Sequence, residues 1–544
     1  MDRAFLERRY LLSFDTRDIG HIFTDVLVIG AGAAGLRAAI AAGETCQVLV
    51  VTKATVTRSN TYEAQGGIAA AMDPADSVES HVADTIACAA GIGDEQVIRR
   101  VIEAAPETIG EMIDWGLPVD RDGEKTALGR EGGHSANRIV HAHGDATGKH
   151  LAETLIAKAR SCPNVKVFEE CFAVDLLTDE GDGAVLGALT FHPRYGLQMI
   201  WARQTVLAAG AAGALWRETT NPPGATADAV ALAFRAAAEL ADMEMMQFHP
   251  TTLYIAGATR ALISEAVRGE GGYLLDRKGE RFMQRHHEQG ELAPRDVVSR
   301  AITAEMARTR ATHVHLDVRH IGTERFRRRF PHIHQLCVDF DIDVGTELIP
   351  VRPAAHYMIG GVKVDASGRT SLPGLWACGE ASCTGLHGAN RLASSSLLEA
   401  LVFGKACGLG AAAGAGQANA RLTARRIVSA NPPSERTALD LADIRNSLRS
   451  VMWRNAGIVR TAARLEETRE IIGFWGRYVM DKEFFDPAGW EVQNMLTAAL
   501  LVIALALRRT ETRGVHYRED FPDIDPAWAC HQTLLRTAEQ LIVR

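Results

Sequence analysis

The 544-residue chain is long enough for two to four domains and a large buried core. Its 47% hydrophobic and 23% charged residues are ordinary for a globular protein. A formal charge of −8 argues against a general nucleic-acid binder, so no nucleic-acid partner is expected.

The cysteines (Cys46, Cys88, Cys162, Cys171, Cys337, Cys378, Cys383, Cys407 and Cys530) include no C-x-x-C pair. That speaks against a zinc ribbon, an iron–sulfur cluster or a secreted disulfide scaffold, and no metal is expected. A reducing cytoplasm fits best. The opening MDRAFLERRYLLSFDTRD is too charged for the apolar segment of a signal peptide. The longest apolar run, MLTAALLVIALAL at 495–507, falls short of the roughly 20 residues of a membrane span. It reads as a buried helix of a bundle, and no membrane association is expected.

In chain order, residues 1–23 read as a poorly determined arm. DVLVIG from Asp25, AGAAGLRAAIAAG and CQVLVVTK then form a strand, a small-residue helix and a second strand. Gly30, Gly32 and Gly35, with Ala31, Ala33 and Ala34 between and beside them, make a G-x-G-x-x-G turn. Such a turn lets a pyrophosphate approach the backbone at a helix N-terminus. The second strand ends in Lys53, where an NAD site would place a ribose-binding acid. FAD is therefore the expected dinucleotide. Two later buried strands, QTVLAAG and GLWACGE, end in Gly as a sheet returning to the same cofactor would, and Glu380 is a candidate for the ribityl chain. A helix beginning at Ser396 and Leu397 would turn its positive end toward the flavin. Residues 243–357 are richer in charge and His and read as an inserted domain. GLGAAAGAGQANA (408–420) reads as a linker, and the tail beyond shows helical periods without strand signals.

Ten motifs now stand in order: TRSNTYEAQGGIAAA, REGGHSANRIVHAHGDATG, NPPGATADAVALAFRAAAEL, QFHPTTLY, SEAVRGEGGYL, GELAPRDVVSRAI, PAAHYMIGGVKVD, GLWACGEAS, GLHGANRLASSSLLEALVFG and HYREDFPD. Together they resemble the succinate dehydrogenase and fumarate reductase flavoproteins and their soluble relatives, the L-aspartate oxidases. The resemblance implies a Rossmann-like α/β FAD-binding domain of the glutathione-reductase type over 24–242 and 358–425. It also implies an inserted α+β capping lid over 243–357 and an α-helical domain over 426–544. Cofactor contacts are implied at Lys53, Asn60, Thr61, Gln65, Gly66, Gly67 and Asp228. Asn60 stands where the membrane-complex members carry the His that bonds the flavin, so noncovalent FAD is expected.

Substrate contacts are implied at His249, Ser264, His356, Arg391 and Ser394. Arg295 is implied to move the proton, relayed by Glu265 or Glu291, because an arginine with a pKa of about 12 or more is a poor acid unaided. Glu131 departs from the dicarboxylate members, which carry an uncharged amide there. An unpaired anion in a pocket for a plain diacid costs on the order of a few kcal/mol. Opposite a substrate ammonium it becomes favourable. Glu131 is therefore expected to face the amino group of L-aspartate, unless it merely pairs with Arg130 or Arg138. Iminoaspartate would leave for quinolinate and NAD synthesis, with quinolinate synthase a possible partner and oxygen or fumarate reoxidising the flavin. The other enzyme consistent with the motifs is a soluble fumarate reductase or succinate dehydrogenase flavoprotein.

Overall fold

The computed structural model describes residues 3–210, 212–255, 261–417, 421–537 and 540–544. Gly20–Ile29 runs parallel between Gly196–Leu207 and Val48–Val51, with Val165–Phe168 beyond. Val48–Val51 is buried at every position, as a strand covered on both faces must be. Phe172–Thr178, Val185–His192 and Gly196–Leu207 form an antiparallel meander along the other edge. Leu375–Ala377 pairs with the last residues of Gly196–Leu207 and so returns the chain to the glycine turn.

The helix Ala33–Ala42 covers the sheet and packs against Ser396–Gln417. This corrects the linker expected at 408–420. Its residues 418–420 lie outside the described residues, but 408–417 are helical. A Cβ on Gly404 would stand 2.6 Å from the Ala34 carbonyl oxygen, and one on Gly408 would stand 2.3 Å from that of Ala38. The glycines bring two helices together; they do not loosen the chain.

The arm expected to be poorly determined is anchored from residue 3 onward, and residues 1 and 2 lie outside the described residues. Phe5, Leu6, Leu11 and Leu12 are buried in the main core. The Leu11 N–H donates to Asp175 Oδ2 (2.7 Å), and Arg536 donates to the carbonyls of Leu6 (2.6 Å) and Arg8 (3.0 Å).

Between 246 and 358 a four-stranded sheet, in the order Met246–Leu253, Ile349–Met358, Val314–Asp317 and Tyr273–Leu275, holds its own apolar core. The helix Arg295–Thr309 packs on Met246–Leu253. The two long strands carry the chain in and out and pair with each other, one bearing His249 and the other His356. The tail contributes three helices, Leu441–Asn455, Ala462–Val479 and Pro487–Arg508. The last is long and apolar enough to cross a bilayer, yet 83% of its apolar window is buried against protein. The tail also holds strands, against expectation. Thr533–Arg536 and Leu541–Val543 complete a five-stranded sheet with Leu240–Ala241, Gly361–Lys363 and Ser382–Cys383. Strands this short leave little period to read.

Candidate active site

One cavity of about 570 Å³ runs from the glycine turn to the four-stranded sheet. At its start a Cβ on Gly30 (φ +114°) would stand 2.2 Å from the Ala208 carbonyl oxygen. On Gly32 the nearest atom is the Thr61 Oγ1, at 3.5 Å, which leaves the backbone open to a ligand. Gly35 does not line the cavity; its bare Cα lets the helix sit against Gly30. The other expected cofactor positions all line it: Ala31, Ala33, Ala34, Lys53, Asn60, Thr61, Gln65, Gly66, Gly67, Asp228, Glu380, Ser396 and Leu397.

Lys53 Nζ donates to Asp228 Oδ2 (2.6 Å), Thr226 Oγ1 (2.7 Å) and Glu491 Oε1 (2.7 Å). This part of the cavity is thus closed by Glu491 and Pro487 of the tail helix, which sequence reasoning missed. Nothing local in DPAGWEV distinguishes Glu491 from a surface carboxylate. Asn60 Nδ2 donates to Glu380 Oε2 (3.0 Å), whose Oε1 accepts the Met358 N–H (2.9 Å). Burial pushes the Glu380 carboxyl up to about 7. Gln65 Oε1 is buried with no partner among the described residues. The glycine cradle and this orphaned acceptor both fit a dinucleotide with a polar ring edge.

Beyond that end lie Glu131, His249, Ser264, Glu265, Arg295, His356, Arg391 and Ser394, brought together from six separate stretches of chain. Glu131 is buried and lines the cavity, and Ser394 Oγ donates to its Oε2 (2.7 Å). Neither expected structural partner takes it. Arg138 is held by Asp76 (2.8 Å) and Asp84 (2.6 Å), and Arg130 donates to the His134 carbonyl (2.9 Å). Among the described residues Glu131 makes no ion pair. Burial first, and then Glu265, push its carboxyl above the usual range. Ser394 adopts φ +58°, a left-handed conformation costly for a residue with a side chain.

Gln247, also missed, ties the two arginines together. Its Oε1 accepts from Arg295 Nη1 (3.3 Å) and Arg391 Nε (3.2 Å), and its Nε2 donates to the Arg391 carbonyl (2.8 Å). It stands beside the expected histidine in QFHP, but an amide carries no charge to draw notice. Arg391 also lies over the Tyr357 ring at 4.7 Å and donates to Ser396 Oγ (3.1 Å). Burial, and then Arg295, lower its pKa to about 10, so it stays charged. Arg295 Nε donates to Glu265 Oε2 (2.5 Å), and Glu265 Oε1 reaches Arg268 at 3.3 Å. Burial opposes ionising Glu265, but Arg295 and Arg268 outweigh it. Arg295 makes no ion pair with its neighbour Asp296 among the described residues; Asp296 holds Arg300 at 2.8 Å. Glu291 is not in direct contact with Arg295. Its carboxylate takes Arg281 at 2.6 Å, and only its carbonyl accepts from Arg268 (2.5 Å).

His249 Nδ1 lies 3.1 Å from the Thr251 carbonyl oxygen and 3.2 Å from the Thr251 backbone nitrogen, and its Nε2 is unpartnered among the described residues. His356 Nδ1 pairs with Thr220 Oγ1 (2.9 Å), and the two rings stand 5.1 Å apart. Burial holds both well below the usual histidine range, so both are neutral donors.

The FAD binding domain model matches residues 25–397, and the model for the fumarate reductase flavoprotein C-terminus matches 487–543. An L-aspartate oxidase of Streptomyces coelicolor is 42% identical over 94% of this chain and 91% of its own length. One of Pseudomonas aeruginosa is 41% identical over 93% and 97%. The chain belongs to the L-aspartate oxidase family of FAD-binding flavoproteins. Its fold matches a variant of FrdA from E. coli quinol fumarate reductase with a TM-score of 0.89, at 30% identity over 97% of both chains. Mycobacterium smegmatis Sdh1 matches with 0.84, at 31% identity over 97% and 94%. The family's cofactor is FAD, and with Asn60 in place of a nucleophile this member binds it noncovalently.

Membership makes the raised Glu131 carboxyl testable by pH. If Glu131 faces the substrate ammonium it must be ionised there, and KM for L-aspartate is then expected to climb as pH falls through its raised pKa. Initial rates between about pH 5 and about pH 8 should show that rise above the ordinary carboxylate range. Glu131→Gln should flatten it.

Proposed function

We propose that this chain oxidises L-aspartate to iminoaspartate. The observation that supports it most is a buried carboxylate without an ion-pair partner among the described residues, Glu131, in the same cavity as two arginines. When bound, FAD would supply the two-electron acceptor for the substrate C2 hydride, with oxygen or fumarate as the terminal oxidant. Arg391 is the guanidinium best placed for a two-point grip on one carboxylate. The neutral His249 and His356 rings, with the Ser264 hydroxyl, provide uncharged polar groups for the other.

Glu131 Oε1, the oxygen not held by Ser394, is positioned against the ammonium. Its raised pKa suits it to take a proton as the amine is freed. Ser394 spends its strained backbone on aiming that carboxylate. The Arg295–Glu265–Arg268 row can move a proton between the cavity and the capping domain, which suits fumarate as the alternative acceptor because its reduction needs a proton at carbon. The capping sheet provides the walls that exclude water.

Iminoaspartate hydrolyses in water, so an enzyme that condenses it at once, quinolinate synthase, is the partner we infer. Nine cysteines, all free, suit a reducing cytoplasm. The test is product analysis. Holoenzyme with L-aspartate in air should form oxaloacetate and ammonia in equal amounts, with hydrogen peroxide matching them. Succinate turnover without any turnover of L-aspartate would overturn the assignment.

A further inference from the structure

Three side chains outside the cavity meet at the five-stranded sheet. Asp242 follows Leu240–Ala241, Cys383 ends Ser382–Cys383, and His531 precedes Thr533–Arg536. Their donor atoms lie within 4.8 Å of one another. Asp242 Oδ2 stands 2.5 Å from His531 Nδ1 and 3.6 Å from Cys383 Sγ. We propose that this cluster binds a divalent metal of borderline softness, zinc being the best fit, and fastens the C-terminal strand to the flavin domain.

The donor set favours it. Thiolate, imidazole and carboxylate together select zinc over magnesium or calcium, which want oxygen alone. Zinc bonds of about 2.0–2.3 Å in a tetrahedron set donor atoms roughly 3.3–3.6 Å apart. The sulfur–oxygen pair already has that spacing, and the imidazole nitrogen must retreat from Asp242 Oδ2 by less than about 1 Å. Charge balances as well. Binding releases the Cys383 proton, and thiolate with carboxylate then neutralises the dication in a site where Asp242 and Cys383 are both buried. The nearby Arg509 does not compete, being held by Glu244 (2.8 Å) and Glu511 (2.9 Å).

The surroundings fix the carboxylate. Gln532 N–H donates to Asp242 Oδ1 (3.0 Å), and the Asp242 N–H donates back to the Gln532 carbonyl (3.0 Å). Oδ2 is left to face the other two donors, as oriented metal carboxylates require. Asp242 also sits at φ +51°, strain that persists only where neighbours over-determine it. The His531 side chain is 35% exposed, which gives the ion an entry path and a fourth position for water. An Asp–His ion pair alone accounts for two of the three groups. It leaves a buried thiol aimed at the same oxygen without a role.

The test equilibrates holoenzyme with zinc sulfate, removes excess metal by gel filtration and counts zinc by mass spectrometry. Wild type should keep about one zinc per chain. Cys383→Ser and His531→Gln should each keep less than about a tenth of that. Cys530→Ser, which removes the exposed neighbouring thiol, should keep all of it. Zinc should also shield Cys383 from iodoacetamide in the wild type and raise its melting temperature, with no such rise in His531→Gln. If Cys383→Ser fails to fold, His531→Gln and the alkylation pattern decide the matter. Wild type that retains no zinc, or variants that retain as much as wild type, would overturn the proposal.

Discussion

Glu131→Gln should lower kcat/KM for L-aspartate by roughly 100-fold while fumarate reduction holds or improves. The loss corresponds to on the order of 3 kcal/mol, the scale of removing one partner from a buried charge pair. Gln keeps the shape and can still accept from Ser394 Oγ, so folding and FAD content should be unchanged. For fumarate the same change removes a repulsion, because a plain diacid brings no cation to Glu131. Steady-state kinetics with both substrates on one preparation measures the split. Equal losses would make the carboxylate a structural group.

Arg295→Lys should reduce fumarate reduction by about 1,000-fold or more and aspartate oxidation by less. Lysine keeps one charge but not the fork that reaches Glu265 with Nε and Gln247 with Nη1. The row to Arg268 then loses its first member at the cavity. Protonating carbon depends on that row, whereas oxidising aspartate uses it only as wall charge. Rates with a chemical reductant and fumarate, beside oxygen uptake with aspartate, separate the two. An unchanged ratio of the two activities would remove Arg295 from proton transfer.

The parts legible in the sequence were those where one short stretch holds both the residue and its reason. Gly30 and Gly32 sit between a strand and a helix whose patterns are visible within a few residues, and Glu131 stands out because its neighbours are glycines. Gln247, Tyr357 and Glu491 were invisible for the opposite reason. Each acquires its role from a partner far along the chain, Arg391 for the first two and Lys53 for the third. The Asp242 cluster is the extreme case, its members lying 141 and 289 residues from Asp242. Glycine misled at 408–417, where the small side chain permits helix packing but reads as a break. The first residues misled because Phe5, Leu11 and Leu12 show no period, although all are buried.

The assignment rests on one uneven charge pattern, a pocket that holds two arginines and a carboxylate with no ion pair among the described residues. Anaerobic titration of the yellow holoenzyme, first with L-aspartate and separately with succinate, tests it most directly. The pattern predicts that L-aspartate bleaches the flavin stoichiometrically and that succinate at equal concentration bleaches it far more slowly. Succinate bleaching as fast as L-aspartate, or faster, would contradict it.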